Sequence, residues 1–165
     1  MKEYIVFLTA PISLYLLYRE STIIISRKPS SITLLYGIII GYIMGGFISG
    51  VIHWFFDSYN TSMMSQYHLD FRTHHDNPMS LEKHSDLQHI IELTPICIPF
   101  LICSVYIDSI LMKIILVVIC VVGNLSQIIH KYSHRRLHEN DKDDQGNYVY
   151  PMVNPFIKTM QDMGL

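Results

Sequence analysis

Histidines dominate the side chains of this sequence that could do chemistry: there are nine of them, beside a single tryptophan. Imidazole groups four residues apart on a helix converge, and His130 and His134 have that spacing. His74 and His75 are adjacent, and His84 follows a short distance later. Imidazole nitrogen suits iron, zinc, copper or nickel. The pattern predicts a metal site with six histidine ligands: His53, His74, His75, His84, His130 and His134.

Asp57 follows His53 by one helical turn, the spacing at which a carboxylate can accept the imidazole N–H and orient the ring. The alternative is that His53 lies beside Trp54 in the aromatic belt of a membrane interface, with Asp57 an ordinary carboxylate at a helix end. The remaining histidines are better explained singly as surface or interfacial residues: His68, His89 and His138.

Long apolar runs must position these groups. Residues 29–56 contain His53 as their only ionisable side chain and are long enough to span a bilayer as a helix. The apolar region 93–129 is too long for one span and is broken by Asp108 and Lys113. It predicts a helical hairpin, with one arm over residues 93–107 and the other over residues 114–129.

The first apolar run, residues 4–18, is either a short span or a half-buried anchor, and whether residues 4–26 cross the membrane is left open. The sequence as a whole predicts an all-α, multi-pass transmembrane helical bundle with about four spans, within a single domain over residues 1–165. Each predicted span moves the chain to the other side of the membrane, so counting the spans places all nine histidines on one membrane face. The distribution of Lys and Arg predicts that this face is cytosolic.

Small residues mark the helix faces that pack on protein. Gly37, Gly41 and Gly45 are four residues apart, and Gly46 and Gly50 repeat the spacing. His53 and Asp57 continue this predicted packing face of the second run. A similar stripe on the last run ends in histidines: Gly123, Ser126, Gln127, His130 and His134.

Composition narrows the function classes. Half of the chain is hydrophobic, and a net charge of −2 leaves no basic surface for nucleic acid. The three cysteines lie inside apolar runs, where we interpret them as small buried hydrophobic residues and not as a disulfide framework. They are Cys97, Cys103 and Cys120.

The histidine motifs resemble those of the plasmanylethanolamine desaturase family, the Kua-type lipid desaturases. The matching stretches are residues 50–57 (GVIHWFFD), 71–78 (FRTHHDNP) with His84 after them, and 126–134 (SQIIHKYSH). The resemblance implies a membrane enzyme with a histidine-bound, two-iron site that uses O2. It implies that a b-type cytochrome supplies electrons and that a double bond is introduced into the alkyl or acyl chain of a membrane phospholipid. The expected reaction converts a plasmanylethanolamine-type ether lipid to a plasmalogen, at the endoplasmic reticulum membrane in a eukaryote.

The C-terminal stretch FIKTMQD, residues 156–162, resembles the segment just before the family's last histidine cluster, so we expect the domain to be incomplete at its C-terminus. Two alternatives therefore stay open: a non-catalytic remnant of the family, and a histidine-rich membrane protein that binds or transports metal. A zinc hydrolase would need His-Glu-x-x-His, which the sequence lacks. Arg72 and Lys131 are candidates for contact with a lipid headgroup. Solvation of both charges in water is an equally good interpretation.

Overall fold

The computed structural model describes residues 2–59, 68–69, 72–73, 80, 85–137, 142 and 144–146. Helices make up nearly all of this part of the chain, so the predicted all-α architecture is confirmed. The helices described over their whole length are α1 (Lys2–Ser26), α2 (Ser31–Ser58), α3 (Asp86–Glu92), α4 (Thr94–Tyr106) and α5 (Ile110–Leu137).

Local sequence signals account for the helix boundaries. The Ser30 hydroxyl accepts a hydrogen bond from the Thr33 amide at 3.1 Å and caps the start of α2. Ser85 caps α3 in the same way, accepting from the Gln88 amide at 3.2 Å. A proline occupies the first turn of α4, where a missing amide hydrogen costs no helical bond. The predicted hairpin is present, because only residues 107–109 separate α4 from α5.

Two helices of the described chain are long and apolar enough to cross a membrane, α2 and the part of α5 up to Ser133. A third span results if α3 and α4, which meet at a bend of 53°, are taken as one broken crossing. The expected number was about four. The difference lies in α1, whose apolar sequence is interrupted by tyrosines and by Arg19 and Glu20. Most large apolar side chains of α2 are exposed, as expected for a lipid-facing helix in a membrane protein.

Glycines allow α2 and α5 to pack closely side by side. A β-carbon added at Gly37, Gly41 or Gly45 would lie only 2.5–2.9 Å from side-chain atoms of α5. The contacted residues of α5 are Ile114, Val118 and Val122. The same number of residues separates the two partners in each pair, so the helices run parallel in a fixed register. This confirms the predicted packing role of these three glycines.

Helix α1 is attached to the hairpin by polar contacts spaced two helical turns apart. Ser13 donates to the Thr94 carbonyl at 3.0 Å, and Arg27 donates to the Asp108 carbonyl at 2.9 Å. Between them, the buried Lys113 ammonium lies 2.7 Å from the fully buried Glu20 carboxylate. Arg19 also contacts Glu20, and Lys113 also donates to the Ser104 carbonyl. α1 therefore runs parallel to α4, and the C-terminal ends of both helices lie at the hairpin turn.

We expect Lys113→Met to destabilise the fold by about 3 kcal/mol, because it removes the buried partner of Glu20 and leaves that carboxylate with the partly exposed Arg19. Thermal or denaturant unfolding in detergent micelles measures the effect. The matched control is the double variant Glu20→Leu/Lys113→Met, which removes both charges and should recover most of the lost stability. Equal stability of Lys113→Met and the unaltered chain would show that the pair does not hold α1 in place.

The cysteines behave differently from one another. Cys97 and Cys120 are buried and form a cluster with Leu101 between α4 and α5, as the sequence predicts. Cys103 is exposed, so its predicted burial is wrong. Two residues correspond to about 200° of rotation around a helix, which turns Cys103 away from the face that Leu101 presents to α5.

Candidate functional site at the end of the α2–α5 pair

His53 and His130 come together where α2 and α5 run side by side. Their ring centroids are 5.2 Å apart, and the ring planes meet at 65°. The two histidines have the same sequence separation as the glycine pairs described above, so the close packing of the helices sets this contact. Two imidazoles from different helices thus share one end of the bundle, as the stripes in the sequence predict.

Asp57 lies one turn beyond His53 on α2. Its Oδ2 is 3.4 Å from His53 Nε2, and both side chains are largely shielded, with 23% and 28% of their surface exposed. A carboxylate in this position favours one orientation and one tautomer of the imidazole. His68 lies against the same helix end, where its Nδ1 donates to the Phe56 carbonyl at 2.5 Å.

Helix α3 is fixed beside His130 by a carboxylate that the sequence analysis did not identify. Asp86 accepts from the Lys131 ammonium at 3.1 Å and from the Tyr132 hydroxyl at 2.9 Å. Lys131 is buried, with 4% of its side chain exposed, and its ammonium faces Asp86. Arg72 is exposed. The suggested contacts of Arg72 and Lys131 with a lipid headgroup stay predictions. No periodic signal links Asp86 to Lys131, because the pair joins two separate helices.

A cavity of about 590 Å³ opens between α2, α4 and α5. His53 and His130 line it at one end, and its walls are predominantly apolar side chains such as Phe47, Ile96 and Phe100. Along α2 the lining extends from Tyr42 to His53, which corresponds to roughly 16 Å of helix. The volume is typical of a site for a small ligand. The cavity can therefore hold an extended apolar group with one end at the two imidazoles.

Three glycines line the cavity instead of packing on a helix. A β-carbon added at Gly46, Gly50 or Gly123 would meet nothing within 4 Å. The prediction that Gly46 and Gly50 share the packing face of Gly45 is therefore wrong. One residue rotates a side chain by about 100° around the helix, so the two glycine series face different directions. The offset between Gly45 and Gly46 shows that the two series face different ways, but nothing in the sequence says which series packs on a helix.

The side chains of the other four predicted ligands lie outside the part of the chain that the structure describes. His74, His75 and His84 lie outside the described residues, and His134 lies on α5 but its side chain is outside them. Within the described part of the chain, no group of three or more His, Cys, Asp or Glu side chains converges as a ligand set. His53 and His130 are thus the two predicted ligands that the structure brings together.

The donor set at this end suits a transition metal in its chemistry, since it combines imidazoles from two helices with an adjacent carboxylate. The residues present therefore fit part of a histidine-bound metal site. An apolar cavity leading to such donors would bring a hydrocarbon chain next to the two imidazoles. Neither feature alone implies lipid chemistry, but together they are compatible with it.

Comparison with known protein families matches residues 42–144 to the lipid desaturase domain. The match covers more than half of the chain and includes every residue that lines the cavity, together with His53 and His130. A search of curated proteins and a search of solved structures find no match to the chain. The family match and the helical membrane architecture agree, and the chain belongs to the lipid desaturase family.

Proposed function

We propose that this protein is an iron-dependent desaturase that uses O2 to introduce a double bond into the alkyl or acyl chain of a membrane lipid. The observation that carries the proposal is the cavity between α2, α4 and α5, which ends at His53 and His130. The chain of a bilayer lipid can enter it between helices, because α2 and α4 both pack on α5 and leave a groove between them.

The metal would be held by His53 and His130 together with the four other histidines of the motifs, His74, His75, His84 and His134. Bound iron supplies the oxidant that removes hydrogen from an unactivated methylene, a step that no side chain can perform. His53 and His130 would hold the metal at the end of the cavity. Asp57 keeps the His53 ring in one orientation. The apolar walls exclude water and restrict which carbons of the chain reach the imidazoles.

The finer features of the reaction are proposed from the motif resemblance. The substrate is a plasmanylethanolamine-type ether lipid, and the product is the corresponding vinyl ether, a plasmalogen. A b-type cytochrome supplies the electrons. The cavity supports a long apolar chain as the bound group, and the histidines at a helix end would let the lipid headgroup stay at the membrane surface while the chain occupies the cavity.

Metal analysis tests the proposal directly. Protein purified without added metal should contain iron in preference to zinc, and chelation should remove that iron together with the activity. Elemental analysis by mass spectrometry gives the stoichiometry, with a mock purification from cells lacking the protein as the control. Stoichiometric zinc without iron, even after anaerobic iron loading, would contradict the proposed chemistry.

The histidine end of the bundle is proposed to face the cytosol, in the endoplasmic reticulum membrane if the cell is eukaryotic. Asn60-Thr61-Ser62 forms an N-glycosylation sequon shortly after the end of α2. We expect Asn60 to remain unmodified in a secretory membrane. A sequon engineered into the turn between α4 and α5 should instead be glycosylated, which glycosidase treatment and gel mobility would detect. Glycan on Asn60 would place the histidines on the opposite side.

A further inference from the structure

Two cysteines face each other across the contact between α4 and α5. The Cys97 thiol donates to the Cys120 carbonyl, and the Cys120 thiol donates to the Cys97 carbonyl, with 3.6 Å between sulfur and oxygen in both cases. Only 4% and 1% of the two residues is exposed. The contact is reciprocal, so each sulfur already reaches the main chain of the opposite helix.

The two residues belong to one buried cluster with Leu101 between α4 and α5. Alanine or valine could make an apolar contact here equally well, whereas the protein places two thiols against each other's helix. A disulfide requires the two β-carbons to be about 3.8 Å apart with a suitable torsion. Because each thiol reaches the main chain of the opposite helix, we expect side-chain rotation to bring the two sulfurs together.

Both cysteines line the cavity that ends at His53 and His130. The cavity is thus the side from which a small oxidant would approach the pair, although little of either residue is exposed. Cys103 provides an internal comparison, because it is exposed on another face of α4. Cys103 thus differs from Cys97 and Cys120 in its exposure and in its contacts.

We propose that Cys97 and Cys120 form a redox-active dithiol in the cavity wall, which peroxide converts to a disulfide joining α4 to α5. One sulfur attacks a peroxide oxygen, so the O–O bond breaks, a sulfenic acid forms and one water leaves. The second sulfur then displaces the sulfenic hydroxyl as a second water, and the S–S bond forms. The two sulfurs together lose two electrons, and hydrogen peroxide takes them up.

The disulfide would fix the wall between α4 and α5 beside the cavity and would be reversible by a dithiol reductant. This inference depends only on the contact between the two helices. It does not require the desaturase proposal, since the oxidant is added from outside and the product is the modified protein itself.

The test treats the full chain in detergent micelles with hydrogen peroxide, quenches with catalase, and counts free thiols after denaturation by maleimide labelling and intact mass. We expect the number of free thiols to fall from three to one, with a mass loss of two hydrogen atoms and a cross-linked peptide containing Cys97 and Cys120. Dithiothreitol should restore the thiols. Cys103→Ser should give the same cross-link, and Cys97→Ser should stop at a dimedone-reactive sulfenic acid on Cys120.

Three outcomes would overturn the proposal. One is a cross-link that includes Cys103. Another is sulfinic or sulfonic acid at Cys97 or Cys120 without any cross-link between them. The last is that both thiols persist at a peroxide dose that oxidises Cys103. The unaltered chain and the Cys103→Ser variant decide between these outcomes, so the test does not depend on whether the Cys97→Ser variant folds.

Discussion

His130→Ala should abolish lipid desaturation, with a loss of product of at least about 100-fold. Replacing even an outer partner of a metal-bound histidine costs about 10–100-fold, and removal of a ligand should cost more. His53→Ala should have the same effect, because the two imidazoles share one end of the cavity. Lipid mass spectrometry of a host that lacks its own desaturase measures the vinyl ether or new olefin.

The matched control is His68→Ala, which removes a histidine at the same end of α2. His68 donates to the Phe56 carbonyl, so its removal costs one hydrogen bond, worth about 1 kcal/mol, and most of the product should remain. Iron content should fall in the His53 and His130 variants and stay unchanged in the His68 variant. Full activity of His130→Ala would show that the predicted metal site does not include this imidazole.

Sequence patterns predicted that His53 and His130 lie at the same end of the bundle, although they did not predict the contact between the rings. Helical periodicity placed each histidine on a small-residue stripe, and the polar break at Asp108 predicted the hairpin that returns α5 to the same side. Glycine spacing then identified the packed face at Gly41. These are local signals with a fixed geometric meaning, so they transfer directly from sequence to structure.

Other features depended on contacts that no periodicity encodes. The Glu20–Lys113 pair and the Asp86 contacts with α5 join helices far apart in sequence, and only the folded arrangement selects these partners. The cavity was also missed. A missing side chain can mean close packing or open space, and the sequence alone treats Gly45 and Gly46 alike although the structure separates them.

The open space beside Gly50 leads to a second prediction with a large effect on activity. Gly50→Leu should abolish the product while leaving the fold intact, because its side chain would enter the cavity near His53 and occupy the space proposed for the lipid chain. Leucine also favours a helix over glycine by about 1 kcal/mol, so stability should be unchanged or slightly increased. Gly123→Leu, which enters the same cavity from α5, should reproduce the result. Product is measured by lipid mass spectrometry and stability by thermal unfolding in micelles.

Gly41→Leu is the opposite control on the same helix. Its β-carbon would lie 2.7 Å from the Val118 β-carbon and 3.0 Å from the Ile115 carbonyl oxygen, so the helices must separate. Overpacking of this kind costs about 1–3 kcal/mol and should lower the unfolding temperature, whereas Gly50→Leu should not. Iron content distinguishes the causes of lost activity: Gly50→Leu should retain the metal, since it adds bulk without removing a ligand. A stable, iron-containing Gly50→Leu protein with normal product would mean that the lipid chain does not bind in this cavity.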